Sequence, residues 1–232
     1  MVAIAMGWRR LLFANWPVAP ETIRPHLPED LAVDTHDGDA WLSVVPFTNV
    51  SVRPRWLPAS VGVPLPELNL RTYVTHGERA GVYFFSLDAD GLGSVLAARL
   101  LHGLPYYNAD ITMDATAERV AFESRRRHPG ARATHFAATY GRDGDRIDHA
   151  AGDLPHFLTE RYRLFTETTD GSIHEVPVEH PRWSLYPAHA DIAVNSLFRA
   201  NGFDPPAGEP VCYYSPGVDV VAGRGRHSEG SQ

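Results

Sequence analysis

The sequence predicts a mainly β protein with a few short helices, an α+β chain folded around an antiparallel, curved or closed sheet. Three observations carry that reading. About ten segments alternate apolar and polar residues with the period of a strand. Turn signals such as Asp37-Gly38, Pro129-Gly130 and the stretch Arg142–Arg146 separate them, in a chain of 232 residues with 19 glycines and 19 prolines. Only two longer stretches, Gly91–His102 and Asp191–Ala200, carry helical spacing.

Taken in order, Trp8–Val18 reads as a strand, and Pro20–Leu27 as a short helix with proline in its first turn. Leu31–Thr35 and Ala40–Phe47 form a predicted hairpin around Asp37-Gly38. A proline-rich loop holding Trp56 runs from Arg53 to Pro66. Glu67–His76 and Val82–Asp88 make a second strand pair around Gly77. In the helix Gly91–His102 the residues Leu92, Val95, Leu96, Arg99 and Leu100 recur at helical spacing, with Gly103 as its cap. Strands follow at Pro105–Met113, Arg119–Arg127 and Arg132–Tyr140, then a short helix at Leu154–Glu160 and strands at Arg161–Glu167 and Ile173–Val178. Asp191 is the expected N-cap of the helix ending at Ala200. Val211–Tyr214 and Val218–Val221 close the strands. Residues 1–222 read as one domain and 223–232 as a flexible tail.

Composition removes whole classes of chemistry. All 21 basic residues are arginine. Without lysine there is no Schiff-base catalysis on a side-chain amine, no pyridoxal-phosphate attachment and no P-loop lysine. A net charge of −7 provides no basic field for nucleic acid. One cysteine, Cys212, makes neither an internal disulfide nor a thiolate zinc cluster. No apolar stretch is long enough to span a bilayer as a helix. The first residues lack a basic segment followed by an apolar core, so a cytoplasmic location is expected. Twelve histidines show no ligand spacing, so no metal is expected and scattered surface histidines are the simpler reading. Arg125-Arg126-Arg127-His128 reads as a solvated turn, and Asp88-Ala89-Asp90-Gly91 as the cap of the helix after it, not a calcium loop.

One strand stands apart. Period two places Glu67, Asn69, Arg71 and Tyr73 on one face and Leu68, Leu70 and Val74 on the other. This polar strip either faces solvent or lines a cavity. In a cavity, Arg71 docks a carboxylate bidentately and Glu67, desolvated, exchanges protons. A second candidate is Arg99-Leu100-Leu101-His102-Gly103-Leu104-Pro105-Tyr106-Tyr107, where adjacent tyrosines on a strand point to opposite faces.

Several segments together resemble the YqjF-like family, domain of unknown function 2071. They include Leu12-Phe13-Ala14-Asn15-Trp16-Pro17-Val18, Asp37-Gly38-Asp39-Ala40-Trp41, Glu67 to Val74, Phe84-Phe85-Ser86-Leu87-Asp88, Gly103 to Tyr107, Phe157 to Tyr162 and Tyr214 to Asp219. The resemblance runs from about Trp8 to Val221 and implies the acetoacetate decarboxylase-like fold, a cone-shaped antiparallel β-barrel with an internal cavity. Decarboxylases of that superfamily carry Gly-Arg-Glu, two residues, then Gly-x-Pro-Lys-Lys. Here the same register matches at Arg99, Gly103 and Pro105, but Leu100 replaces the glutamate and Tyr106 and Tyr107 replace both lysines. The resemblance therefore implies the fold without the imine chemistry. It turns Glu67, Asn69, Arg71 and Tyr73 toward the interior, with Arg99 beside them and Tyr106 donating to a carbonyl or enolate oxygen.

Two functions follow as expectations. One is a cavity that binds or transforms a small organic acid or carbonyl compound, with Glu67 and Tyr106 catalytic and Arg71, Asn69, Tyr73 and Arg99 binding. As an enzyme it would be a lyase, dehydratase or isomerase that needs no cofactor. The other is a non-catalytic interaction barrel whose interior is filled by side chains. No nucleic-acid or membrane partner is expected, and a homo-oligomer stays open.

Overall fold

A computed structural model describes residues 3–91, 104–168, 170–223 and 225–227. The strands are β1 Ile4–Val18, β2 Ala32–Val33, β3 Ala40–Pro54, β4 Val63–His76, β5 Arg79–Ala89, β6 Tyr106–Ala115 and β7 Val120–Arg126. They continue as β8 His135–Arg142, β9 Arg163–Glu167, β10 Ile173–Glu179, β11 Tyr186–Asn195, β12 Val211–Ala222 and β13 Arg226–His227. Short helices are α1 Pro20–Ile23, α2 Leu154–Thr159 and α3 Leu197–Ala200. No helix of the described residues is long and apolar enough to cross a membrane.

Strand pairing closes two rings that share one wall. The wall runs β12-β1-β3-β4-β5, each strand antiparallel to the next. On one side the ring closes through β6, β7, β8 and β11. On the other it closes through β9 and β10, where Val82 pairs with Leu164 and Val178 with Ala222. The expected antiparallel sheet is modified at two seams, β5–β6 and β5–β9, which are parallel.

Each face of the wall carries its own core. Leu12, Ala14, Leu42, Val44, Leu68 and Leu70 pack against Phe122, Phe136 and Tyr140 in the β6–β8 ring. Leu11, Phe13, Val45, Phe47 and Tyr73 pack against Val178, Trp183 and Leu185 in the β9–β10 ring. Alternation along β4 thus sends Leu68 and Leu70 into one core and the polar strip into the other ring.

Bulges shift that alternation along several wall strands. In β1 an extra residue at Arg10, φ +57°, lies between the pairs Arg9–Thr48 and Ala14–Val44. The Tyr140 hydroxyl donates to the Arg10 carbonyl at 2.8 Å and holds the bulge. In β3 the extra residue is Ser51, φ +55°, and in β5 it falls between Phe84 and Ser86. Opposite Arg9, Gly217 has φ +130° and a Cβ there would lie 2.0 Å from the Trp8 carbonyl oxygen, so only glycine fits.

Several sequence expectations are corrected. Asp37 and Gly38, φ +54° and +89°, do form a tight turn closed by the His36–Asp39 bridge, but β2 pairs with β4 and not with β3. Leu31, fully buried, anchors that segment in the core beside β4. Residues 191–195 are not helical. They belong to β11, whose Ala188, Ala190 and Ile192 turn inward at period two while the backbone pairs with β8. Only Leu197–Ala200 is helix. The two late strands are one, β12, and Arg226–His227 pairs with β10 where a frayed tail was expected. The helix expected at Gly91–His102 lies, for residues 92–103, outside the described residues. His76, His149 and His174 are buried rather than on the surface. The basic cluster is ion-paired: Arg125 with Glu123, Arg127 with Asp110, and Arg126 turned inward onto the fully buried Asp88 at 2.7 Å. Asp88 also accepts from Thr134 and so ties β5 to the segments beyond it, while the helix that Asp88–Gly91 was expected to cap lies outside the described residues.

Candidate active site

Within the β9–β10 ring lies a cavity of about 260 Å³. Even-numbered residues of β1 line it, Ile4, Met6 and Trp8, because the Arg10 bulge has not yet exchanged the faces. β3 contributes Asn49 and Val52 from either side of its own bulge, and β4 contributes Leu65, Glu67 and Arg71. Val82, Phe84 and Leu87 of β5, Val176 and Val178 of β10, and Trp183 complete most of the wall. The lining is largely apolar, so the few polar groups in it stand out.

Glu67 is strongly perturbed. Its Oε2 accepts from Asn49 Nδ2 at 3.1 Å and from the Tyr106 hydroxyl at 3.1 Å. Burial pushes its carboxyl up to about 7, against the opposing pull of Tyr106, Asn49 and Asn69, which favour the ionised form. The Tyr106 hydroxyl is raised well above its usual value, by burial first and by the Glu67 charge second, so it stays a donor at any physiological pH. Tyr106→Phe is expected to move the Glu67 midpoint above 7, because it removes a hydrogen bond to the carboxylate. A carboxyl-carbon NMR titration reads this directly, and an unshifted midpoint would show that the two groups do not touch in solution.

Arg71 enters the same cavity from four residues further along β4. Its Nη2 donates to the Leu158 carbonyl at 3.0 Å, and its Nε is buried with no hydrogen-bond partner. The guanidinium carbon sits 5.4 Å from the Phe13 ring and 5.7 Å from the Tyr73 ring. No carboxylate among the described residues pairs with it. By contrast Arg161 and Arg163, also on the cavity wall, pair with Asp34 at 2.6 Å and Glu175 at 3.1 Å. A buried, uncompensated guanidinium is costly and is a ready receptor for an anion.

The remaining expected residues separate. Asn69 is buried next to Glu67 and acts on its carboxyl, but does not line the cavity. Tyr73 is fully buried and does not reach the cavity either. Its hydroxyl donates to the Leu158 carbonyl at 2.9 Å and lies 2.8 Å from Ser43 Oγ. It holds the helix α2 that flanks Arg71. Arg99 lies outside the described residues. Of the tyrosine pair, Tyr106 faces the cavity, while Tyr107 points away and stacks its ring 4.0 Å from the Arg126 guanidinium. Sequence reasoning missed Asn49, although it continues the face of Val45 and Phe47 at period two and is the one amide on it. Cys212 supplies no nucleophile, since burial pushes its thiol up to about 12. Among the described residues no cluster of three or more His, Cys, Asp and Glu side chains could hold a metal.

The family model of domain of unknown function 2071 (DUF2071), described as "Uncharacterized conserved protein", matches residues 5–219. The chain belongs to the DUF2071 family. This DUF2071 protein is 38% identical over 220 residues to the uncharacterized protein YqjF of Bacillus subtilis (strain 168), covering 92% of this chain and 88% of that one. Its fold is similar to that of an acetoacetate decarboxylase-like enzyme from Sphingomonas wittichii RW1, with a TM-score of 0.66 at 18% identity over 99% of this chain and 94% of the other. The enduracididine biosynthesis enzyme MppR, solved in complex with pyruvate, matches with a TM-score of 0.67 at 14% identity over 99% and 91% of the two chains. The acetoacetate decarboxylase of Legionella pneumophila matches with a TM-score of 0.65 at 11% identity over 97% and 87%. At these identities the likeness is one of fold, and the DUF2071 protein has an acetoacetate decarboxylase-like fold without any lysine to form an imine.

Proposed function

We propose that this DUF2071 protein takes a small organic acid or carbonyl compound into the β9–β10 cavity and acts on it by acid–base chemistry without a covalent amine. The observation that carries the reading is Arg71, a buried guanidinium without a carboxylate partner among the described residues, opening onto the same cavity as the Glu67–Tyr106 pair. Arg71 anchors the ligand's carboxylate. Glu67, titrating near neutral pH, is suited both to give and to take a proton.

The two groups work as one unit. When the Glu67 carboxylate takes a proton from the carbon beside a carbonyl, it loses the charge that holds the Tyr106 O–H. That donor then turns to the enolate oxygen on the ligand, and the proton on Glu67 returns to a different atom of the ligand. Such a cycle is isomerisation; elimination uses the same first step and then expels a leaving group such as hydroxide from the next carbon, and hydration is that sequence in reverse. The fold is also that of MppR, whose solved form holds pyruvate, an acid of this class. That supports the reading only by analogy of fold. A barrel filled by its own side chains is disfavoured by the cavity of about 260 Å³.

A thermal-shift panel of keto acids, hydroxy acids and aldehydes tests this. An acid at about a hundred times its dissociation constant adds roughly 2.7 kcal/mol, which for a chain of this size raises Tm by about 5–10 °C. Silence across the whole panel sinks the reading.

A further inference from the structure

The cavity is polar at one end and apolar at the other, and the order of groups along β4 says which is which. Arg71 stands at one end and Glu67 follows four residues earlier, about 13 Å away along the backbone at the rise of a strand. Leu65 comes next beyond Glu67. Strand register extends the apolar end further. Asn49 pairs with both Leu65 and Trp8, so Met6 and Ile4 lie past Glu67 along β1, with Ala222 opposite Ile4 and Val52 beside them on β3. Among the described residues the arginine at that end is Arg163, whose backbone pairs with Pro177 beside the Val178–Ala222 pair. The other arginines on the wall already carry carboxylate partners, Asp34 on Arg161 and Glu175 on Arg163.

We infer that the acid this site takes is a monocarboxylate with an apolar tail of several carbons, alkyl or aryl, and not a two- or three-carbon acid or a dicarboxylate. This rests on the reading of the cavity as an acid-binding site. Its carboxylate meets Arg71, its chain passes Glu67 and Tyr106, and its tail occupies the space between Leu65, Val52, Met6 and Ile4. A three-carbon acid, no bulkier than about three waters at roughly 30 Å³ each, leaves most of 260 Å³ unfilled. Among the described residues the second carboxylate of a diacid meets beyond Glu67 only Arg163, already paired with Glu175, and loses its hydration there.

Calorimetric titration at pH 6, where Glu67 is mostly protonated, with straight-chain 2-oxo acids from pyruvate to 2-oxooctanoate reads the tail directly. Affinity is expected to rise about three- to fourfold for each added methylene. 2-Oxoglutarate is expected to bind at least tenfold more weakly than 2-oxopentanoate, the monoacid of the same length. In Val52→Phe, which fills the apolar end, the rise with tail length is expected to flatten. Pyruvate binding as tightly as 2-oxooctanoate, 2-oxoglutarate binding more tightly than 2-oxopentanoate, or an equally steep series in Val52→Phe overturns this inference while leaving the acid site intact. Failure of every acid to bind removes the acid site itself, and the inference with it.

Discussion

Arg71→Met is expected to raise the melting temperature of the unliganded protein while abolishing its response to acids. The guanidinium is buried, its Nε has no partner, and no carboxylate among the described residues balances its charge. The Phe13 and Tyr73 rings return part of the desolvation cost, on the order of 0.5–2 kcal/mol. Removing the arginine leaves nothing orphaned, because the Leu158 carbonyl keeps the Tyr73 hydroxyl as donor at 2.9 Å. Methionine fills similar volume without a charge, so a gain of about 1–3 kcal/mol is expected, or roughly 3–10 °C in Tm. Affinity for an acid ligand falls by about 30-fold or more. Calorimetry on the variant with and without ligand measures both. A drop in Tm as large as the expected rise means that Arg71 braces the fold, and the anchor must then be sought elsewhere.

The second large effect concerns pH. Glu67 has an ordinary carboxyl near 4.5 in the unfolded chain and one pushed up to about 7 in the folded protein. Below pH 4.5 both states hold the proton, and Glu67 puts no pH dependence on stability. Between about 4.5 and 7 the unfolded chain has released the proton and the folded one has not, so stability falls as pH rises. Above 7 the loss is complete, at about 3 kcal/mol. Glu67→Gln removes this slope. Its amide oxygen still accepts from Asn49 and Tyr106, so the variant is expected to match the parent at pH 4.5 and exceed it by roughly 5–10 °C at pH 8. Parallel Tm-against-pH curves for the two proteins contradict a buried, protonated Glu67.

Much of this site was legible because a strand's period is two and side chains of opposite polarity cannot share a dry face. Period two groups Glu67 with Arg71 on one face of β4 but leaves that face wet or dry, the family resemblance turns it inward, and the adjacent tyrosines gave one inward residue without saying which. Tyr73 shares the face but not the cavity, because Ser43 and the Leu158 carbonyl take up its hydroxyl, and neither is near it in sequence. The misread helix at Asp191 shows the converse. An acidic residue before an apolar run is a sound N-cap signal, yet pairing with β8 satisfied the same backbone groups. Asn49, Arg161 and Trp183 came to the cavity through pairings and loops that no local pattern encodes. The two-ring topology was equally hidden, since its seams rest on as few as two residue pairs, Val82–Leu164 and Tyr83–Phe165 on one side and Val178–Ala222 and Glu179–Val221 on the other.

The residue inserted at Arg10 makes length in β1 a property under constraint. Upstream of it, even positions see the cavity; downstream, odd positions Leu11 and Phe13 seal the core. Deleting one residue there would turn Trp8 outward and bring Arg9 in, or else exchange Phe13 for Leu12. A gap of one residue in this strand is therefore a frameshift in three dimensions, and homologues should vary the identity at this position far more freely than the count.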